Sequence, residues 1–147
     1  MKFLAIKPKD KKLVWIDTNT LKAAEVSAGL VSVDHGMFWR NPNTGKSLAY
    51  VVYEYGFFVR PDKQTYAIVF GKLIAGNCVC YAVNEIGDTI NVESDMISEK
   101  DVTWLPTQYD VEIAIAKGQV NRPIIAVNGV IEWKWPEPAP AQFKVRE

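Results

Sequence analysis

The stretch that most constrains the fold covers residues 65–92 and has the sequence TYAIVFGKLIAGNCVCYAVNEIGDTINV. In an extended chain, Tyr66 and Ile68 point to one face, and Ala67 and Val69 point to the other. Both faces of this segment are therefore apolar. That pattern is typical of a strand in the interior of a sheet, with other layers covering both sides.

A second extended run follows the break at Gly76 and Asn77. It carries large side chains on one face and small ones on the other, the small face being Cys78, Cys80 and Ala82. Small side chains allow another layer, such as a helix, to pack closely. The NEIGD segment then turns the chain into a third, more polar strand. The core is therefore expected to be a sheet.

The remaining pattern predicts an α+β fold with a mostly antiparallel sheet of about 6–8 strands and one or two short helices. The first helix, about 20–28, follows the possible N-caps of the DTNT segment and ends before Gly29. An Asp-His-Gly turn is expected at 34–36. Near the C-terminus, the Asn128-Gly129 pair predicts a tight hairpin with Val127 opposite Val130 and Ala126 opposite Ile131.

The segment 107–117 fits two patterns. Thr107 and Asp110 resemble a capping box, and Lys117-Gly118 resembles a helix end. Apolar side chains recur at helical spacing, but others in the segment alternate as in a strand. A helix is favoured because both ends are marked, and its predicted buried stripe is Tyr109, Ile113, Ala116 and Val120.

Length and composition indicate one globular domain. The chain has 147 residues, with 48% hydrophobic and 23% charged residues, a composition far from that of disordered chains. We expect a domain over 1–135 and a Pro-rich extended tail over 136–147. No apolar run approaches the roughly 20 residues of a membrane span, and the initial FLAI run is too short for a signal peptide. A cytoplasmic location is expected.

Charge is unevenly distributed although the net charge is zero. Residues 85–112 contain eight acidic residues and one basic residue. A neutral chain without a broad basic patch disfavours general nucleic-acid binding, whereas an acidic segment favours a partner with a basic surface. The predicted partner-binding residues are Glu85, Asp88, Glu93, Asp95, Glu99 and Asp101.

Motifs for catalysis are missing from the sequence. GxSxG, HExxH and a glycine-rich phosphate loop do not occur, and His35 is the single histidine. Cys78 and Cys80 are interpreted as buried, reduced thiols, since an extended backbone holds neighbours two apart in a strained position for a disulfide. The sequence therefore predicts no catalytic residue, no metal site and no cofactor, and we expect a protein that is not an enzyme.

Aromatic residues and arginines occur together in two places and provide an alternative. Aromatic rings with arginine can stack on nucleobases. If Trp39, Arg40, Tyr55 and Arg60 converge on one pocket, they would bind a nucleotide-like signalling ligand.

Two segments, KFLAIKP at the start and KLIAGNCVCYAVNEIGDTINV in the centre, resemble small accessory proteins encoded by phages and prophages. Those proteins pair a short N-terminal strand ending in IKP with a later glycine-containing strand and a G-D/E-T turn. The resemblance implies an accessory gene product that binds and blocks a host factor or sequesters a host signalling molecule. The leading hypothesis is a non-enzymatic inhibitor of a host or anti-phage defence protein in the host cytoplasm. The oligomeric state is left open.

Overall fold

The computed structural model describes residues 1–123, 125–127 and 130–132 and confirms the α+β class. A six-stranded and a three-stranded antiparallel sheet are present in these ranges, with two α-helices and a separate two-stranded hairpin. The strands are β1 (Lys2–Lys7), β2 (Lys12–Asp17), β3 (Val33–Arg40), β4 (Ser47–Tyr53), β5 (Tyr66–Val69), β6 (Lys72–Ala75), β7 (Cys78–Val83), β8 (Thr89–Ile90), β9 (Val102–Leu105), β10 (Ile125–Val127) and β11 (Val130–Glu132). The helices are α1 (Leu21–Ser27) and α2 (Gln108–Ala116).

The larger sheet has the strand order β2-β1-β7-β4-β3, and β8 also pairs with β7. The smaller sheet has the order β6-β5-β9. All four residues of β5 are buried, as predicted for an interior strand. At Gly76 and Asn77 the chain passes from the smaller sheet into the larger one, so the central stretch contributes strands to both.

Three apolar clusters define four layers, in the order α1, six-stranded sheet, three-stranded sheet and α2. The cluster between the sheets joins the inner faces of β1, β3, β4 and β7 to β5, β6 and β9. The small face of Cys78 and Cys80 lies in this cluster. The idea that a helix covers this face is therefore wrong. The three-stranded sheet lies there because its central strand has a second apolar face to bury.

Helix α1 has the predicted bounds because its first turn is capped. The Thr20 Oγ1 accepts a hydrogen bond from the Ala23 N–H at 3.1 Å. Ala24 and Ala28 are buried in the cluster that contains Phe3 of β1 and Val79 of β7. Small side chains on α1 thus let the helix lie close to the outer face of the larger sheet.

Helix α2 confirms the helical alternative for 107–117. Its capping box is complete, with the Thr107 N–H donating to the Asp110 carboxylate at 3.0 Å and Thr107 Oγ1 accepting from the Asp110 N–H at 3.3 Å. The predicted stripe is wrong for Ile113 and Ala116, which are exposed, because the helix turns Val111 and Ala114 toward the core instead. Val120, the last member of the predicted stripe, is buried in the same cluster as Val111 and Ala114, although it lies beyond the helix end.

The C-terminal hairpin has the predicted register, with Val127 opposite Val130 and Ala126 opposite Ile131. Its turn residues 128–129 and the tail 136–147 lie outside the described residues. The domain limits 1–135 stay a prediction. Within the described part of the chain, neither helix is long and apolar enough to cross a membrane.

Candidate functional site

Helix α1 leaves part of the larger sheet's outer face uncovered. A seven-residue helix is about 10 Å long, whereas the seven-residue strand β4 beneath it is about 23 Å long. The uncovered part forms an open groove of about 480 Å³. We call it the sheet-face groove, and its lining includes His35, Met37, Arg40, Ala49, Tyr81, Val83 and Glu85.

A β-bulge in β3 decides which side chains face the groove. The pairing with β4 is regular up to Met37, opposite Ala49, and then shifts so that Trp39 lies opposite Leu48. Phe38 and Trp39 consequently both pack on the core between the sheets. Met37 and Arg40 are left on the groove side, and Met37 is 49% exposed.

His35 and Tyr81 form a polar pair in the groove. The His35 Nδ1 lies 3.1 Å from the Tyr81 hydroxyl oxygen, and the two rings pack edge to face. Burial, with a smaller contribution from the negative charge of Glu25 on α1, raises the pKa of Tyr81. Tyr81 therefore keeps its proton at neutral pH and can donate it in a hydrogen bond to His35.

The β7–β8 turn forms an acidic rim beside the groove. The Asn84 Oδ1 accepts hydrogen bonds from the backbone N–H groups of Ile86 and Asp88, at 3.2 and 2.9 Å. Glu85 lies against Gly45 of the β3–β4 turn, where a Cβ would be only 2.5 Å from the Glu85 Cβ. Glycine at position 45 thus lets Glu85 reach the groove wall. Asp88, in the same turn, is exposed.

The rest of the acidic segment is divided between structural and exposed carboxylates. Glu93 forms an ion pair with Lys46 at 3.1 Å, so Glu85 and Glu93 flank the same turn. The Asp101 carboxylate accepts the Ser98 N–H at 2.9 Å and caps a 3-10 turn that leads to β9 of the other sheet. Asp95 and Glu99 are exposed. Among the described residues, ion pairs reach none of Glu85, Asp88, Asp95 and Glu99.

Two carboxylates near the end of the acidic segment stabilise the fold instead. Asp110 belongs to the capping box of α2. Glu112 holds Arg122 in a bidentate pair, with N–O distances of 2.6 and 2.7 Å. Both side chains of this pair are largely buried, which suits a structural contact better than a binding surface.

The four residues predicted to bind a nucleotide-like ligand do not converge on one pocket. Trp39 and Arg40 lie opposite Leu48 and Ser47, at one end of the β3–β4 pair. Tyr55 and Arg60 follow the other end of β4, about 20 Å away along the strand. Trp39 packs on the core and Arg60 pairs with Asp62 at 3.0 Å. The predicted convergence is wrong because the two aromatic and arginine segments flank opposite ends of one strand.

Sequence reasoning missed His35, Met37 and Tyr81 as neighbours. The Asp-His-Gly turn predicted at 34–36 is wrong, since β3 runs unbroken through it. Gly36 is needed there because the Tyr50 ring lies over it on the inner face. Local sequence gives no signal for these neighbours, since β4 separates β3 from β7 in the sheet.

The cysteines lie away from this surface. Cys78 and Cys80 are both buried between the sheets as free thiols, and burial raises the pKa of Cys78. In the described ranges, no group of three or more histidine, cysteine or carboxylate side chains is placed to hold a metal ion.

The groove, its His35–Tyr81 pair and its acidic rim are thus the best-defined candidate site, and comparisons add no family to it. A scan against protein-family models, a search of curated proteins and a search of solved structures each returned no match.

Proposed function

We propose that this protein is a non-enzymatic accessory protein of the phage type that inhibits a host or anti-phage defence protein by binding its basic surface. In this proposal, the contact is centred on the sheet-face groove and its acidic rim. Glu85 and Asp88 face basic side chains of the partner, and Met37 provides an apolar contact in the groove.

The observation that carries the proposal is the combination, at one place, of exposed apolar area and negative charge that no ion pair among the described residues neutralises. Glu85 lines the same groove as the half-exposed Met37. Flexible methionine side chains adapt to a partner surface, and exposed carboxylates steer a basic partner and fix its orientation. Neither element needs a bound cofactor or a reacting group.

Binding of this kind would inhibit without any chemistry. Clustered lysines and arginines on a protein surface bind anions such as the phosphates of nucleic acids. An acidic rim that pairs with the same lysines and arginines would occupy them and exclude the anion. Inhibition by competition is the expected mode, and Asp95 and Glu99 would add to the attraction at longer range.

The test is affinity capture from bacterial lysate, with the wild type and the variants Glu85→Lys and Asp88→Lys as bait. Asp10→Lys is the matched control because Asp10 is also exposed and the change in net charge is the same. We expect one partner to be retained at about 50 mM salt and released at about 0.5 M, where exposed charges are screened. The two rim variants should lose that partner, and Asp10→Lys should keep it.

A partner captured equally by the wild type and both rim variants would contradict the proposed contact. A partner with no basic surface would do the same. Met37→Lys serves as a second variant, since it places a positive charge inside the groove against the basic partner surface and should weaken capture even where the rim is intact.

A further inference from the structure

The two edges of the six-stranded sheet differ in how they are protected from pairing with other chains. Both edge strands carry charged residues, but the edge strand β3 also carries a bulge at Phe38, a device that usually discourages edge pairing. The other edge strand, β2, has no bulge. Its register with β1 is unbroken from Lys2 opposite Asp17 to Lys7 opposite Lys12.

The outward-facing backbone groups of β2 follow from its pairing with β1. The Thr18 N–H donates to the Met1 carbonyl oxygen at 3.0 Å, so positions 14 and 16 also direct their backbone groups toward β1. Leu13, Trp15 and Asp17 therefore direct theirs away from it. Among the described strands, β1 is the only neighbour of β2, so these groups have no strand partner there.

The side chains of β2 also suit contact with another chain. Trp15 is 48% exposed, and the apolar residues on either side of it are only partly buried. The sequence from 11 to 17 is KKLVWID, with a basic start, an apolar middle and an acidic end. Such a strand is complementary to itself when two copies run antiparallel, because each basic end then meets an acidic end.

We infer that β2 pairs with β2 of a second copy of this chain, antiparallel and about a two-fold axis at Val14. A two-fold axis perpendicular to the sheet must pair residues that point to the same face, so it passes through one residue of the strand. With the axis at Val14, Leu13 lies opposite Trp15 of the second copy, and Lys12 lies opposite Ile16. Lys11 belongs to the turn before the strand, with φ of 51°, so its long side chain reaches Asp17 of the second copy from the strand end. An axis at Trp15 would instead place Leu13 opposite Asp17 and Lys11 near Asn19. Both the Leu13–Trp15 contacts and the Lys11–Asp17 charge pairs would then be lost, which favours the axis at Val14.

The pairing joins two six-stranded sheets into one continuous sheet. About four backbone hydrogen bonds form between Leu13 and Trp15 of the two copies. Asp17 already lies 3.2 Å from the N-terminal amine, but its side chain remains exposed and can accept a lysine of the second copy. The surface is separate from the sheet-face groove, so the inference does not depend on the proposed function.

Cysteine crosslinking in the full-length protein tests the inference and its register. Two residues on the axis in a non-hydrogen-bonded pair have Cα atoms about 4.5 Å apart, within disulfide range. Val14→Cys should therefore give, on mild oxidation, a species of twice 16.5 kDa. Trp15→Cys, which would lie opposite Leu13, should give little. The native thiols are buried and should not crosslink.

A charge exchange supplies a second measurement that does not depend on a new thiol. In sedimentation equilibrium, Asp17→Lys should raise the dimer dissociation constant roughly threefold to tenfold, since two exposed pairs are lost. The double variant Lys11→Asp with Asp17→Lys should restore it. Met37→Lys, in the groove, should leave it unchanged. A wild type that stays monomeric at all concentrations, or equal crosslinking at positions 14 and 15, would overturn the inference.

Discussion

Gly36 is the residue at which the Tyr50 ring crosses β3. A Cβ at this position would overlap the ring, which also stacks on Phe38 with centroids 4.4 Å apart. Glycine thus permits an aromatic contact that closes the core beneath β3, and Met37 emerges next to it on the groove side. One missing side chain therefore shapes both faces of the strand.

Gly36→Ala is expected to lower the free energy of unfolding by about 1–3 kcal/mol, since the Tyr50 ring must leave its place in a packed core. Urea denaturation measures the change. The cost should shrink in a Tyr50→Ala background, where no ring opposes the new methyl group. An equal cost in both backgrounds would show that the ring is not the cause.

Tyr66 provides a prediction about pH. Burial raises its pKa from 10.0 to about 12. Because the folded-state pKa lies above the unfolded value, the contribution of Tyr66 to stability is complete below pH 10 and is lost as the pH rises through 12. By linkage this amounts to up to roughly 2–3 kcal/mol.

Denaturation curves measured between pH 9 and pH 12 test this contribution, because this range covers both the ordinary pKa of 10.0 and the raised value of about 12. The wild type should lose stability more steeply than Tyr66→Phe, which has no hydroxyl to ionise. The partly buried Tyr50 and Tyr81, whose pKa values are also raised by burial, contribute to both proteins. The difference between the two slopes is therefore the informative quantity. Parallel curves would contradict the role of Tyr66.

At the scale of elements, the residues that mark helix ends predicted the helices better than the spacing of apolar residues did. Capping residues predicted both helices with nearly correct bounds, because a cap is a local contact between a side chain and the backbone. The β5–β6 hairpin was missed. Its turn places Phe70 and Gly71 at φ of 48° and 76°, and phenylalanine rarely adopts a positive φ.

Removal of the Thr107 side-chain cap tests how much the cap stabilises helix α2. Thr107→Ala should lower the free energy of unfolding by about 1 kcal/mol, because the N–H of Asp110 loses its acceptor. The measurement is again urea denaturation. Thr107→Ser, which retains the hydroxyl, should stay close to the wild type; a loss as large as that of the alanine variant would argue for a packing role instead.

At the scale of the whole molecule, the two sheets are held together by one continuous apolar layer. That layer draws residues from seven strands and from the loop after β8. Such sharing favours cooperative unfolding, which the predicted single domain over 1–135 also requires. Urea transitions followed by tryptophan fluorescence and by far-ultraviolet circular dichroism should therefore coincide.

Leu48→Ala tests the same layer, since Leu48 is fully buried between the sheets. It should cost about 2–5 kcal/mol, the usual range for a cavity in a core. Ile86→Ala is the control because Ile86 is 77% exposed on the β7–β8 turn, and its cost should stay within about 0.5 kcal/mol. Separate transitions for the two probes would indicate more than one folding unit.

The sequence by itself determined the features that depend on near neighbours. The fold class, the capped helices, the buried strand β5 and the register of the C-terminal hairpin all follow from alternation, caps and turn residues within a few positions. The exposure of Glu85 and Asp88 also agrees with their position in a polar turn.

Only the tertiary structure decided which residues from distant parts of the chain lie together on one surface. The division of the central stretch between two sheets depends on how β5 and β7 pair with distant strands, and so does the meeting of His35 with Tyr81. Strand pairing across long separations is set by packing of the whole chain. The same reason explains why Trp39 and Arg40 lie far from Tyr55 and Arg60, although each pair combines an aromatic residue with an arginine.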